Sequence, residues 1–213
     1  MPQIILHDYF RSSASYRVRI ALNLKGLDYR RHSVSLADGE QKLAGYLALN
    51  PQGFVPMLEI GEERVTQSLA IFDRLDALEK DPPFVPDDPA GRAHVLALAL
   101  TIACDIHPLN NLRVLKYLKA ELGQPQEAID AWYRHWVREG LEALEALAMP
   151  QAGRFLYGDS VGMADICLVP QLFNARRFAV PLGAFPTLLR AEANALAIPA
   201  FAAAHPDVQE PAS

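Results

Sequence analysis

The chain has 213 residues, 51% of them apolar, with 20 basic and 25 acidic side chains and a formal net charge of −5. That length suits one large domain or two modest ones, and mild acidity without a basic cluster argues against a nucleic-acid partner. No apolar run approaches the ~18 uninterrupted residues of a membrane span, and Met1-Pro2-Gln3 leads into a strand-like segment rather than a signal peptide.

Gln3–Leu6 reads as a short buried strand. In Phe10–Gly26 the hydroxyls of Ser12, Ser13 and Ser15 stand directly before a helical pattern, with Val18, Ala21, Leu22 and Lys25 at i, i+3, i+4 and i+7. Gly26 falls where such a helix turns left-handed and stops. Strand, serine loop and helix N-terminus together gather free N–H groups and hydroxyls, an arrangement that attracts negative charge. The serines also suit ordinary N-caps, and the two roles are compatible. Tyr29–Leu36 has the content of a second strand, which would complete a βαβ crossover. Lys42–Leu49 fits a short irregular helix, and Asn50-Pro51-Gln52-Gly53-Phe54-Val55-Pro56 a loop. Met57–Ile60 and Arg64–Thr66 fit antiparallel strands across a tight turn, and Ser68 is placed to cap a helix carrying Leu69, Phe72, Leu75 and Leu78. The order β-α-β-(α)-β-β-α is that of a thioredoxin-like domain.

Glu79–Pro89 is dense in proline and acid and reads as a linker. Beyond it, Ala90–Leu118, Gln126–Leu147, Met163–Phe178 and an Ala-rich stretch through Ala204 look helical. Pro108, Pro170 and Pro181 should kink or end helices, and Pro206–Ser213 reads as a loose tail. The expected division is an α/β thioredoxin-like domain over 1–80, a linker over 81–89 and an all-α domain over 90–213. Cys104 and Cys167, far apart in apolar surroundings, suggest reduced, buried thiols in a cytoplasmic protein. Cys104 and His107 lack further ligands at useful spacing, so no metal site is expected.

Four motifs carry a more specific signal: Arg11-Ser-Ser-Ala-Ser-Tyr-Arg-Val-Arg-Ile-Ala-Leu22, Asn50–Pro56, Gln67-Ser-Leu-Ala-Ile71 and Asp105-Ile-His-Pro-Leu-Asn-Asn111. With Gly158-Asp159, Ala164-Asp165 and Leu168-Val-Pro-Gln171, they resemble the zeta class of glutathione transferases, which includes maleylacetoacetate and maleylpyruvate isomerases. The similarity runs over essentially the whole chain. There are two departures: Ala14 stands where zeta members often carry cysteine, and Gly162 where Ser or Thr usually opens the helix near Asp165.

The resemblance implies the glutathione transferase fold, a homodimer, glutathione as cofactor and a small diacid as substrate, with neither nucleic acid nor membrane as partner. The implied reaction is cis–trans isomerisation of a conjugated double bond by reversible thiolate addition. The alternatives are a transferase or dehalogenase acting on α-halo acids, and a glutathione-binding module without turnover. The obligatory task is ionising a thiol whose free pKa is near ~8.5. A hydroxyl donating to the sulfur contributes roughly 1.5–3 kcal/mol and a helix N-terminus about 0.3–1 kcal/mol. Together they lower the pKa by about one to three units.

By the same resemblance Ser12 is the donor, with Ser13 next and Arg11 beside them; Tyr9 competes, although packing at a strand end suits it better. Glutathione contacts map onto Ser12, Ser13, Ala14, Ser15, Tyr16, Arg17, Gln41, Val55, Pro56, Gln67 and Ser68, with a cis Val55–Pro56 bond. On the helical part they map onto His107, Asn111, Leu112 and Arg113. Arg11, Arg113 and one of Arg176 and Arg177 would hold the substrate carboxylates, since adjacent helical residues point about 100° apart.

Overall fold

The computed structural model describes residues 2–209. Two compact units emerge, residues 2–84 together with 197–209, and residues 85–196.

In the first unit, β1 (Ile4–Asp8), β2 (Arg30–Ser33), β3 (Met57–Ile60) and β4 (Glu63–Thr66) form one sheet in the order β2-β1-β3-β4. β1 and β2 run parallel, and the other pairs antiparallel. Side chains alternate across a strand, so the register Ile4↔Ile60 and Leu6↔Leu58 puts four buried aliphatics on one side. The opposite side carries His7. Its ring lies 5.9 Å from Tyr46 of α2 (Ala44–Leu49), and Tyr46 packs with Val34, Val55, Tyr9 and Leu36.

α1 (Ser13–Leu24) joins β1 to β2, and α3 (Ser68–Leu78) follows β4 and packs on α1. The stripe expected on α1 is wider than its spacing implies, because every residue from Ser13 to Leu22 is buried. Gly26 lies just past the helix at φ +62°, the left-handed conformation anticipated for it. At α3, Gln67 rather than Ser68 occupies the cap position, with φ +69° and no side-chain cap bond.

The proline-rich stretch after α3 is anchored rather than loose. The Lys25 ammonium is held by Asp76 and the Pro82 carbonyl, each at 2.6 Å, and lies over the Phe84 ring. The apolar Phe84 side chain, fully buried, draws the acidic segment onto the unit.

α9 (Pro199–Ala204) also packs on α1, with Asn23 Nδ2 donating to the Ala200 carbonyl at 3.0 Å. The expectation of a single helical domain running from residue 90 to the end is therefore corrected. Buried donors on α1 recruit the final described turns into the α/β unit. Pro206–Val208 forms a 3-10 turn with Pro206 buried, so the expected loose tail does not hold for that turn; residues 210–213 lie outside the described residues.

The second unit is helical among its described residues: α4 (Pro89–Leu100), a π-helical turn (Thr101–Ile106), α5 (Leu112–Ala120), α6 (Gln126–Ala148), α7 (Met163–Arg177) and α8 (Pro186–Leu196). The helix expected over Ala90–Leu118 breaks at His107–Asn111, as Pro108 requires. By length and composition alone Pro89–Ile106, with mean hydropathy 1.2, could cross a membrane. Its apolar face of Val95, Leu98, Ala99, Ile102 and Ile106 is buried, α4 packing on α7 and the π-turn on α6, while the rest of the segment, Gly91 apart, is not buried. With Ile102 and Ile106 turned inward, Cys104 between them is exposed, which corrects the expectation of two buried thiols; Cys167 is buried.

Candidate active site

The serine loop is set by local chemistry. The Ser12 N–H donates to the Tyr9 carbonyl at 2.9 Å, closing a turn at the end of β1. Ser12 has extended backbone dihedrals and caps α1, its Oγ accepting the Ser15 N–H at 3.2 Å. An oxygen that accepts from the backbone keeps its own proton for donation outward, so cap and donor roles coexist in one hydroxyl. Ser12 is half-buried, Ser13 and Ser15 are buried, and the Arg11 guanidinium is exposed over the Phe10 ring at 4.9 Å. Ala14 and Tyr16 are buried in the first turns of α1. Tyr9 packs in the Val34–Tyr46–Val55 cluster.

Arg17 Nη1, buried, reaches Ser68 Oγ at 3.5 Å and so ties α1 to the start of α3. Neither helix has an acidic residue in its first turn, so both positive dipole ends are uncompensated. The Gln67 amide donates to Gln52 Oε1 at 2.9 Å, fixing the start of α3 to the loop before β3. That loop is built around Asn50, whose Nδ2 donates to the Phe54 carbonyl at 2.8 Å, as does the Tyr46 hydroxyl at 2.6 Å. Burial pushes the Tyr46 phenol up to about 12, keeping it protonated as that donor. At Gly53, φ is +61° and a Cβ would meet the Gln41 carbonyl at 2.7 Å, so only glycine lets the loop close on the Gln41 segment. The Val55–Pro56 bond is cis. The Gln41 Oε1 atom is buried without a hydrogen-bond partner among the described residues.

In the helical unit, Asn111 Oδ1 accepts the Arg113 N–H at 3.1 Å and caps α5, where Leu112 is the first residue, and its amide lies 3.4 Å from His107 Nε2. Trp132 Nε1 donates to the Leu109 carbonyl at 2.8 Å and pins this segment to α6. The two candidate arginines part company. Arg176 is bound by both nitrogens to the Glu192 carboxylate of α8 at 2.5 Å, and Glu192 is buried. Arg177 makes one long contact, 3.4 Å to Asn174 Oδ1. Among the described residues no group of three His, Cys, Asp or Glu side chains could hold a metal ion.

Two residues that spacing did not flag shape this region. Arg19 is fully buried beneath the serine loop, and its only sequence signal is a charge inside an apolar helical stripe. Asp8, at the end of β1, is buried and accepts from both Arg19 and Arg31.

Residues 11–78 match the model of the glutathione S-transferase N-terminal domain, and residues 126–209 that of the glutathione S-transferase C-terminal domain. The chain belongs to the glutathione S-transferase family. Its relatives lie in the zeta class. A probable maleylacetoacetate isomerase of Vibrio cholerae is 46% identical over 98% of both chains. A holo structure of maleylpyruvate isomerase, described as a bacterial zeta-class glutathione S-transferase, is 41% identical with a TM-score of 0.95. The match covers 98% of this chain and 100% of that one. The maleylacetoacetate isomerase of Methylobacterium extorquens AM1, crystallised with malonate and glutathione, is 40% identical with a TM-score of 0.94, over 97% of this chain and 98% of that one.

Proposed function

We propose that the protein is a glutathione-dependent cis–trans isomerase of a maleyl-type diacid, maleylacetoacetate or maleylpyruvate, working in the cytoplasm as a homodimer. The observation that carries this reading is the pair of acid-free helix N-termini bearing Ser12 and Ser68, tied together through Arg17. Their donor set of hydroxyls, amides and backbone N–H groups fits a tripeptide with two carboxylates and an ionisable thiol.

When bound, glutathione supplies the nucleophilic thiol that lowers the bond order of a conjugated alkene. This chain's part is to hold sulfur as an anion and to orient the diacid. The Ser12 hydroxyl donates toward the sulfur position while its oxygen stays engaged by the Ser15 N–H. Ser13, Ala14, Ser15, Tyr16 and Arg17 form the wall of that loop. Gln67 and Ser68 receive the γ-glutamyl carboxylate, the Val55 backbone pairs with the cysteinyl portion, and Gln41 faces the remaining end. His107, Asn111, Leu112 and Arg113 are assigned to ligand contact on the helical unit.

Arg11, Arg113 and Arg177 hold the substrate carboxylates. Arg177 is preferred to Arg176 because the Arg176 fork is already filled by Glu192.

The test is loss of maleylacetoacetate or maleylpyruvate absorbance with glutathione present in catalytic amount. Turnover without glutathione consumption supports isomerisation. Stoichiometric conjugate formation would instead favour the transferase or dehalogenase reading, and glutathione uptake with neither reaction a binding module.

A further inference from the structure

We propose that Arg19 is a positioning residue for the serine loop: one buried guanidinium ties that loop to the end of β1 and to the last turn of α9, so that the C-terminal helix helps set the geometry of Ser12. The inference deepens the function proposed above and, where glutathione is concerned, rests on it.

Three acceptors from three separate segments converge on this side chain. Nη1 donates to Asp8 Oδ1 at 2.8 Å, Nη2 to the Phe10 carbonyl at 3.0 Å, and Nε to the Ala204 carbonyl at 3.0 Å. Phe10 sits inside the turn that the Ser12 N–H closes on Tyr9. A displaced Phe10 carbonyl therefore moves the two residues that precede the capping hydroxyl. The Ala204 carbonyl belongs to the C-terminal end of α9, which needs donors for its unpaired carbonyls. Arg19 gives one of them a partner in the interior.

A purely stabilising role fits this arrangement poorly. Buried ion pairs are often no better for stability than well-packed apolar residues, and Arg19 has no exposed surface at all. An apolar side chain could fill the same volume, but it could not satisfy three acceptors held in fixed directions. Lysine could not either, because its single ammonium lacks the planar fork. Arg31 offers an internal comparison: from β2 it bonds the other Asp8 oxygen at 2.7 Å, and its side chain is a quarter exposed where that of Arg19 is fully buried.

The experiment is residue-resolved amide exchange on the full chain without glutathione, comparing wild type, Arg19→Lys and Arg31→Lys. In Arg19→Lys the Ser12 and Ser15 amides should exchange about ten- to hundredfold faster, while Leu58 and Ile60 in β3 stay near their wild-type rates. Arg31→Lys should leave Ser12 and Ser15 unchanged. Equal acceleration of loop and strand amides, or none at the loop, overturns the inference.

Should Arg19→Lys fail to fold, Phe201→Leu, which slackens α9 from within, decides by the same selective pattern. With glutathione bound, thiolate absorbance against pH separates the two readings. If Ser12→Ala leaves the thiol unmoved while Arg19→Lys still loosens the loop, the serine role falls and this inference stands. If Ser12→Ala moves the thiol and Arg19→Lys leaves loop exchange unchanged, the reverse holds.

Discussion

Ser12 Oγ both accepts the Ser15 N–H and is assigned as the donor to sulfur, so one substitution should produce two separable losses. Ser12→Ala removes the cap, at about 0.5–2 kcal/mol of stability, and removes the donor, raising the pKa of bound glutathione by about one to two units. Denaturant titration reads the first and thiolate absorbance the second. An unmoved thiol with a reduced stability would leave Ser12 a cap only. The arginine pair divides similarly. Arg177→Gln should raise KM for the diacid about tenfold or more with little effect on stability, because its hydrogen bond to Asn174 is long and exposed. Arg176→Gln should leave KM near wild type and cost about 1–2 kcal/mol, since it strands the buried Glu192 carboxylate while its own half-exposed charge is partly screened.

The start of α7 is held by a charge in the interior. Asp165 accepts the Leu156 N–H at 2.9 Å and the Gly162 N–H at 3.0 Å, tying the residue before the helix and the preceding segment to its first turn. Burial pushes this carboxyl up to about 6 from 3.8, its backbone hydrogen bonds pulling the other way. A folded pKa above the unfolded one means that the contribution is fully present below pH 3.8 and is lost as pH rises through 6. The total is roughly 3 kcal/mol. Asp165→Asn removes the titration, so the stability difference, wild type minus variant, should fall by up to about 3 kcal/mol between pH 4 and pH 7 in urea titrations. A flat difference would mean that the backbone bonds cancel the cost of burial. In α8 the Thr187 and Leu188 N–H groups donate to the Glu145 carboxylate of α6 at 2.9 and 3.0 Å, so that helix, unlike α7, is capped from another helix.

At the level of the whole chain, the α/β unit is made of two stretches distant in sequence, with α9 returning to α1. Phe201 is fully buried in α9, and Phe201→Ala should cost about 3–5 kcal/mol of stability in urea unfolding. A small effect would mean that the returning helix is dispensable to the unit.

The strands, the first helix with its Gly26 stop and the serine run before it were readable from residues alone, whereas the Val-Pro and Gln-Ser motifs took their meaning from the family resemblance. Each of the former rests on local chemistry: alternation, capping, or a backbone shape that one residue type permits. Other features were not readable in that way. Arg17 and Arg19 look like ordinary solvated charges on a helix until the partners, Ser68, Asp8, Phe10 and Ala204, are brought to them from 9 to 185 positions away. Only tertiary structure distinguished Arg176 from Arg177, because the difference lies in Glu192 of another helix. Only tertiary structure turned Cys104 outward, and only tertiary structure carried the final helix back to the first unit. A sequence records the donors a segment owns, whereas the acceptors that claim them are fixed when distant segments pack.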